Sequence, residues 1–154
     1  MRIQDYVADS AREAANMAFK YAAAVPDDKL DWSPPGGGRS VLSMCRELAV
    51  TPTWTLIAYG EVEEGTGPEY WHNLERQWST VAQCEAEFNQ RFEAMDRYFR
   101  SLTDEDLKKT KWLPYNGGRD HTFLEMMDYP RWNATYHLGQ IAYIQTLYGD
   151  KEMH

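Results

Sequence analysis

Cysteine is scarce in this sequence: the 154 residues contain two, Cys45 and Cys84. Neither stands in a CxxC motif or in another spacing typical of metal sites. Two isolated cysteines inside helix-like segments also give no basis for a disulfide framework. We therefore expect both thiols to be reduced and structural.

Long apolar runs and an excess of positive charge are also missing. No segment approaches the roughly 20 apolar residues that cross a bilayer, and the polar start of the chain has no apolar core typical of a secretion signal. Sixteen Lys and Arg face 24 Asp and Glu, and the resulting net charge of −8 repels nucleic acids and anionic lipids. The sequence therefore predicts a soluble cytoplasmic protein with neither nucleic acid nor membrane as partner.

Apolar residues nevertheless make up 43% of the chain, enough to bury a core, and 26% are charged. No repeat, low-complexity tract or long linker divides the sequence. We expect residues 1–154 to form a single domain.

Hydrophobic residues recur every three or four positions in the first half, which is the period of amphipathic helices. One helix is predicted over about 3–24, and a second from Val41 to about Tyr59, with Ser40 as its N-cap and a bend or early end at Pro52. Residues 60–67 are predicted to be a loop. The inner face of the first helix is expected to carry Ile3, Tyr6, Val7, Ala14, Met17, Ala18, Tyr21 and Ala22.

The second half has the most regular pattern. A bundle seam runs from Leu74 to Leu102 in alternating steps of four and three, and 68–78 can form a separate short segment, with Ser79 capping the next helix. Thr122 and Glu125 form a capping box ahead of a last long helix that ends near Gly149. Four long helices predict an all-α fold, an antiparallel four-helix bundle, and no segment alternates long enough to predict a sheet.

The last helix carries the polar residues that suggest chemistry. His137 lies in an apolar line, and Asn133 lies one turn before it on the same side, so both side chains can point at one place. A buried histidine that only hydrogen-bonds to Asn133 or a tyrosine is the structural alternative.

Three segments carry a resemblance to a known family: 132–140 (WNATYHLGQ), 39–49 (RSVLSMCRELA) and 147–149 (LYG). They resemble the DinB-like (DinB/YfiT) superfamily, whose members are associated with metal-dependent enzymes. The resemblance implies three histidines that bind a divalent metal inside the bundle, one from helix two and a His-x-x-x-His pair from helix four. Position by position, the metal ligands fall on Glu47, Asn133 and His137.

Only one of the three implied ligands is therefore a histidine here. Glu and His are good ligands for zinc, nickel, manganese or iron, and an Asn carbonyl is a weaker donor that suits harder ions. The alternative is a hydrogen-bonded cluster without metal, in which Glu47 accepts from His137 and Asn133 and the pair can transfer protons.

The resemblance also implies an activity and an assembly. Family members include enzymes that use a low-molecular-weight thiol in transferase or isomerase reactions on small-molecule substrates, and they form homodimers through helix faces. The alternative is a non-enzymatic ligand-binding or dimeric interaction module with a degenerate metal site.

Other polar residues are expected to have no such role. Glu85 interrupts the seam of helix three; it can either face the centre or be solvated near a helix start, and we favour the second. His72, His121 and His154 are expected at the surface. Many of the tryptophans and tyrosines cluster near helix ends and loops, where they can pack the core or line clefts and interfaces.

Overall fold

The computed structural model describes residues 1–63, 65 and 67–154. These residues form five α-helices and a two-stranded sheet. The predicted loop at 60–67 includes residues 64 and 66, which lie outside the described residues. The elements are α1 (Ile3–Ala23), α2 (Val41–Tyr59), α3 (Gly67–Glu75), α4 (Val81–Ser101), β1 (Thr110–Leu113), β2 (Arg119–Thr122) and α5 (Phe123–Leu147).

The four long helices α1, α2, α4 and α5 form a bundle, as predicted. α1 and α2 each pack against both α4 and α5. Pairs of cross-helix contacts give the directions. Glu47 meets His137 and the later Tyr59 meets the earlier Phe123, so α2 and α5 run antiparallel. Thr53 meets Arg91 and Tyr59 meets Phe99, in the same order along α2 and α4. α2 and α4 are thus parallel, because the segment 60–80, which contains α3, returns the chain to the same end.

Local signals determine where the helices begin. Ser40 caps α2, and Thr122 forms its capping box with Glu125 at α5. Of the two alternatives for 68–78, a separate segment is present as α3. The cap of α4 is Thr80 with Gln83, rather than Ser79. Pro52 does not end α2, which continues to Tyr59.

Most of the predicted seam from Leu74 to Leu102 is buried in the core, whereas Leu74 and Glu85 are half-buried. The inner face of α1 differs: Ile3, Tyr6 and Met17 are exposed, and small residues are buried instead. Alanines let α1 approach its neighbours closely, so the larger residues at the side of this face remain outside. The buried face of α1 consists of Gln4, Val7, Ala8, Ala11, Ala15, Ala18, Phe19 and Ala22.

The antiparallel hairpin β1–β2 was not predicted. It pairs Thr110 with Thr122 and Leu113 with Arg119. Gly118 has a φ of 78°, and a Cβ there would lie 2.7 Å from the Trp112 ring, so the turn requires glycine. The hairpin ends where α5 begins, and it closes one end of the groove between α2 and α5.

Candidate functional site

The candidate site lies between α2 and α5. Glu47 and Thr51 stand one turn apart on α2, and Asn133 and His137 stand one turn apart on α5. Residues four apart share one face of a helix, so each helix presents two polar side chains to the other. The structure brings together the three residues that the sequence singled out, Glu47, Asn133 and His137, which we call the polar centre.

Asn133 and His137 both contact the same carboxylate oxygen of Glu47. Its Oε1 accepts a hydrogen bond from Asn133 Nδ2 at 3.0 Å and lies 3.0 Å from Nε2 of His137. Asn133 and His137 are 3% and 2% exposed, whereas the Glu47 side chain retains 19%. Glu47 is thus the member most open to an outside molecule.

Arg39 holds the other carboxylate oxygen. Its Nη1 donates a hydrogen bond to Oε2 of Glu47. The guanidinium is itself fixed by Ser43, whose main-chain oxygen lies 3.0 Å from Nη2. This ion pair fixes the carboxylate, so that Oε1 remains directed at His137 and Asn133.

Glu47 is ionised at neutral pH. Burial alone would raise its pKa, but hydrogen bonds from His137, Arg39 and Asn133 outweigh burial and lower the pKa to about 2. A permanent negative charge is therefore present at the polar centre.

The second nitrogen of His137 is also engaged. Nδ1 lies 2.8 Å from Oε1 of Gln140, and with the amide in this orientation the carbonyl oxygen accepts and Nδ1 carries the proton. In the neutral ring, the lone pair of Nε2 then faces the Glu47 carboxylate. Two acceptors 3.0 Å apart repel each other unless a positive charge lies between them. Either a proton on Nε2 or a bound cation satisfies this geometry.

The Thr51 hydroxyl is compatible with two orientations of the Asn133 side-chain amide. Its Oγ1 lies 3.1 Å from Asn133 Oδ1 and 2.9 Å from the main-chain oxygen of Glu47. When the hydroxyl donates to Asn133, the amide NH₂ faces Glu47. When it donates to the Glu47 carbonyl, its oxygen can accept from a reversed Asn133 amide, whose carbonyl then faces the polar centre. The reversed orientation places three acceptors together and therefore requires a cation.

A cleft of about 610 Å³ adjoins the polar centre toward the hairpin. Tyr129 connects the two regions: it lines the cleft one turn before Asn133, and burial followed by the charge of Glu47 raises its pKa to about 12. Trp54 lies two turns beyond Glu47 on α2. Cleft and polar centre thus follow the same groove. The cleft is lined by Trp54, Thr55, Ala58, Leu113, Tyr115, Arg119, His121, Glu125, Met126, Asp128, Tyr129 and Trp132.

The prediction that His121 lies at the surface was wrong. It is 8% exposed and lines the cleft, because the hairpin turns it inward against the start of α5. His72 is exposed, as expected, and His154 is half-buried beside Asp150. The sequence signal that could have found His121 is its place two residues before the helix that carries His137.

Glu85 lies away from the polar centre. It is half-buried, and Cys84 beside it takes the fully buried position of that turn. Both cysteines are free and buried. Burial raises the pKa of the Cys84 thiol to about 11 and that of Cys45 still further, so neither thiol is reactive at neutral pH.

The family of the chain follows from comparison with known proteins. A family model of the DinB superfamily matches residues 11–141. The chain belongs to the DinB superfamily. Among curated proteins, none matches this DinB-superfamily chain in sequence.

Solved structures share the fold of this DinB-superfamily chain. YfiT from Bacillus subtilis, described as a probable metal-dependent hydrolase with an unusual four-helix bundle topology, is 16% identical over 97% of this chain and 90% of YfiT, with a TM-score of 0.76. The colibactin self-resistance protein ClbS, in complex with dsDNA, is 11% identical over 93% of this chain and 95% of ClbS, with a TM-score of 0.64. A conserved Enterococcus faecalis protein is 14% identical over 96% of this chain and 97% of that protein, also with a TM-score of 0.64.

The donor set of the polar centre fits a divalent cation that accepts oxygen ligands. Ligand atoms about 2.1 Å from one ion lie about 3.0 to 3.4 Å apart, and Glu47 Oε1 is 3.0 Å from both His137 Nε2 and the Asn133 amide. Three or more His, Cys, Asp or Glu side chains do not gather at one point among the described residues. The third ligand of any such site has to be Asn133 in its reversed orientation.

Proposed function

We propose that this chain binds one divalent cation through Glu47, Asn133 and His137 and acts as a metal-dependent enzyme on a small molecule held in the adjoining cleft. The observation that carries the proposal is the 3.0 Å approach of His137 Nε2 to the ionised Glu47 carboxylate. A proton on Nε2 or a cation satisfies that approach, and with Nδ1 donating to Gln140, Nε2 is the atom of His137 that would bind the cation.

The ligand chemistry ranks the candidate metals. Two oxygens and one imidazole nitrogen suit manganese or iron(II) better than the softer zinc or nickel. Arg39 shares the charge of Glu47, so we expect weaker binding than in a site with three histidines. When bound, the ion supplies Lewis acidity that polarises a substrate carbonyl or phosphoryl oxygen.

The residues of the chain supply the rest of the machinery. Gln140 fixes the ring of His137, and Arg39 fixes the carboxylate of Glu47. Tyr129 and Trp132 line the cleft beside the centre. YfiT, with the same fold, is described as a probable metal-dependent hydrolase, and we infer hydrolysis as the reaction class here. Use of a low-molecular-weight thiol stays a prediction of the family resemblance.

Calorimetric titration of the metal-free protein with Mn²⁺ tests the proposal. We expect one ion per chain, and we expect His137→Ala to abolish binding because it removes the strongest donor. His72→Ala is the matched control, since His72 is exposed on α3. Absence of binding with manganese, iron(II), zinc and nickel alike would leave the alternative of a non-enzymatic ligand-binding module whose polar centre carries only a proton.

Nucleic acid is not part of this proposal, although ClbS was solved with dsDNA. The net charge of −8 disfavours a phosphate backbone. Membrane crossing is not supported either: in the described part of the chain, no helix combines the length and the apolar character that a membrane span needs.

One side of α5 supports the further proposal that the chain forms a homodimer. Trp132, Tyr136 and Tyr143 are exposed there, and the Trp132 and Tyr136 rings stack with centroids 5.4 Å apart. Exposed aromatics are enriched at subunit interfaces. Sedimentation velocity of the wild type and of Tyr143→Lys measures whether this face holds a second copy.

A further inference from the structure

His121 combines burial with an unused hydrogen-bonding atom. Its Nδ1 lies 3.0 Å from the main-chain oxygen of Arg119. A carbonyl oxygen can only accept, so Nδ1 carries the proton and Nε2 of the neutral ring retains a lone pair. The hairpin therefore fixes both the tautomer and the orientation of this imidazole.

Nε2 of His121 is unpartnered among the described residues and accessible. It forms no hydrogen bond with the residues that the structure describes, and it is not among their enclosed unpartnered atoms. The residue is 8% exposed and lines the cleft. An acceptor nitrogen thus stands at the hairpin end of a cleft whose other end reaches Tyr129 and the polar centre.

The remaining lining gives the cleft its character. Its charged residues are already paired: Arg119 Nη2 lies 2.9 Å from Glu125, and Asp128 lies 2.6 Å from Arg131. The walls are aromatic, with the rings of Trp54, Tyr115, Tyr129 and Trp132. A cavity of about 610 Å³ with flat aromatic walls and no spare charge suits a neutral, largely apolar molecule.

We propose that the cleft binds an uncharged aromatic small molecule and that Nε2 of His121 accepts a hydrogen bond from an O–H or N–H group on that molecule. This inference rests on the proposed function only for what happens to the ligand after binding. Recognition itself uses the cleft and His121 and needs no cation.

A matched pair of probes tests the inference by equilibrium dialysis at neutral pH without metal. 2-Naphthol carries an O–H donor, and 2-methoxynaphthalene has the same rings without it. We expect the wild type to bind 2-naphthol about fivefold more tightly, as one buried hydrogen bond allows. His121→Phe keeps a ring but removes the acceptor, so we expect it to bind both probes equally.

Controls separate recognition from folding and from the metal site. His72→Phe changes an exposed histidine and should keep the fivefold preference. Trp132→Ala should lower the affinity for both probes and preserve the ratio of the two affinities, because it removes a wall of the cleft and not the acceptor. If circular dichroism shows that His121→Phe is unfolded, His121→Leu takes its place.

Three results would overturn the inference: no binding of either probe, equal binding by the wild type, or an unchanged preference in the folded His121 variant. A separate Mn²⁺ titration of the same proteins tests the proposed function. If the wild type binds no Mn²⁺ but prefers 2-naphthol, the proposed function is refuted and this inference stands. If it binds Mn²⁺ but shows no preference between the probes, this inference is refuted and the proposed function stands.

Discussion

Two glutamates of this chain have the same lowered pKa for different reasons. The pKa of Glu125, in the first turn of α5, falls to about 2 because Arg119 and Thr122 donate to it in solvent. The pKa of Glu47 also falls to about 2, but there the hydrogen bonds must first overcome burial. A lowered pKa alone therefore does not identify a functional carboxylate.

The surroundings separate the two residues. The Glu125 side chain is 44% exposed, and its partners complete a capping box that begins a helix. Water screens that ion pair, as at most protein surfaces. Glu47 is 19% exposed, and its partner His137 has a second nitrogen held by Gln140. Only Glu47 combines a permanent charge with a preformed neighbour that can share a cation.

The largest expected difference between the two glutamates is in cation binding. Glu47→Gln keeps the shape but removes the charge, so we expect Mn²⁺ affinity to fall roughly a hundredfold or more. Glu125→Gln should bind Mn²⁺ like the wild type. Calorimetry measures both, and equal affinities for the two variants would place the cation elsewhere.

Acid stability is the next test of the comparison. Glu47 has an ordinary pKa of 4.5 when unfolded and about 2 when folded. Its stabilisation is therefore complete above pH 4.5 and is lost as the pH falls through about 2. At full strength it is worth about 3 kcal/mol.

Urea unfolding at several pH values between 2 and 7 measures this loss. We expect the stability of Glu47→Gln to depend less steeply on pH than that of the wild type between pH 4.5 and 2. Glu125→Gln should reduce the pH dependence of the unfolding free energy less than Glu47→Gln does, because solvent screens the ion pair of Glu125. Parallel curves for the wild type and Glu47→Gln would contradict the coupling of Glu47 to folding.

Helical spacing predicted the pairing of Asn133 and His137, which are four residues apart in a well-marked helix. Glu47 was added by the family resemblance, counted from the start of α2 at Ser40. Local capping signals likewise gave the start of α5.

The cleft could not be predicted in the same way. His121 faces inward only because a hairpin pairs Thr110 with Thr122, a contact between distant residues that no periodicity reveals. The inner face of α1 was misassigned for a related reason: Ile3 and Tyr6 are more hydrophobic than the alanines of α1, but close helix packing favours the smaller side chains.

A histidine at position 133 brings the polar centre closer to the three-histidine ligand set that the family resemblance implies. In Asn133→His, we expect affinity for Zn²⁺ or Ni²⁺ to rise about tenfold, because imidazole is the better ligand for these ions. Asn73→His, on the exposed side of α3, is the matched control. An unchanged affinity would indicate that position 133 does not reach the cation.

The smallest expected effect concerns Thr51, which allows the amide of Asn133 to reverse. Thr51→Val keeps the volume but removes the hydroxyl, so either orientation of the amide loses one partner. The loss is greater in the cation-bound orientation, because an unpaired buried N–H is tolerated less well than an unpaired carbonyl. We expect Mn²⁺ affinity to fall about threefold, measured by calorimetry, and Thr51→Ser to bind like the wild type. Equal affinity in Thr51→Val would show that the amide does not reverse, and the cation would then be held by Glu47 and His137 without Asn133.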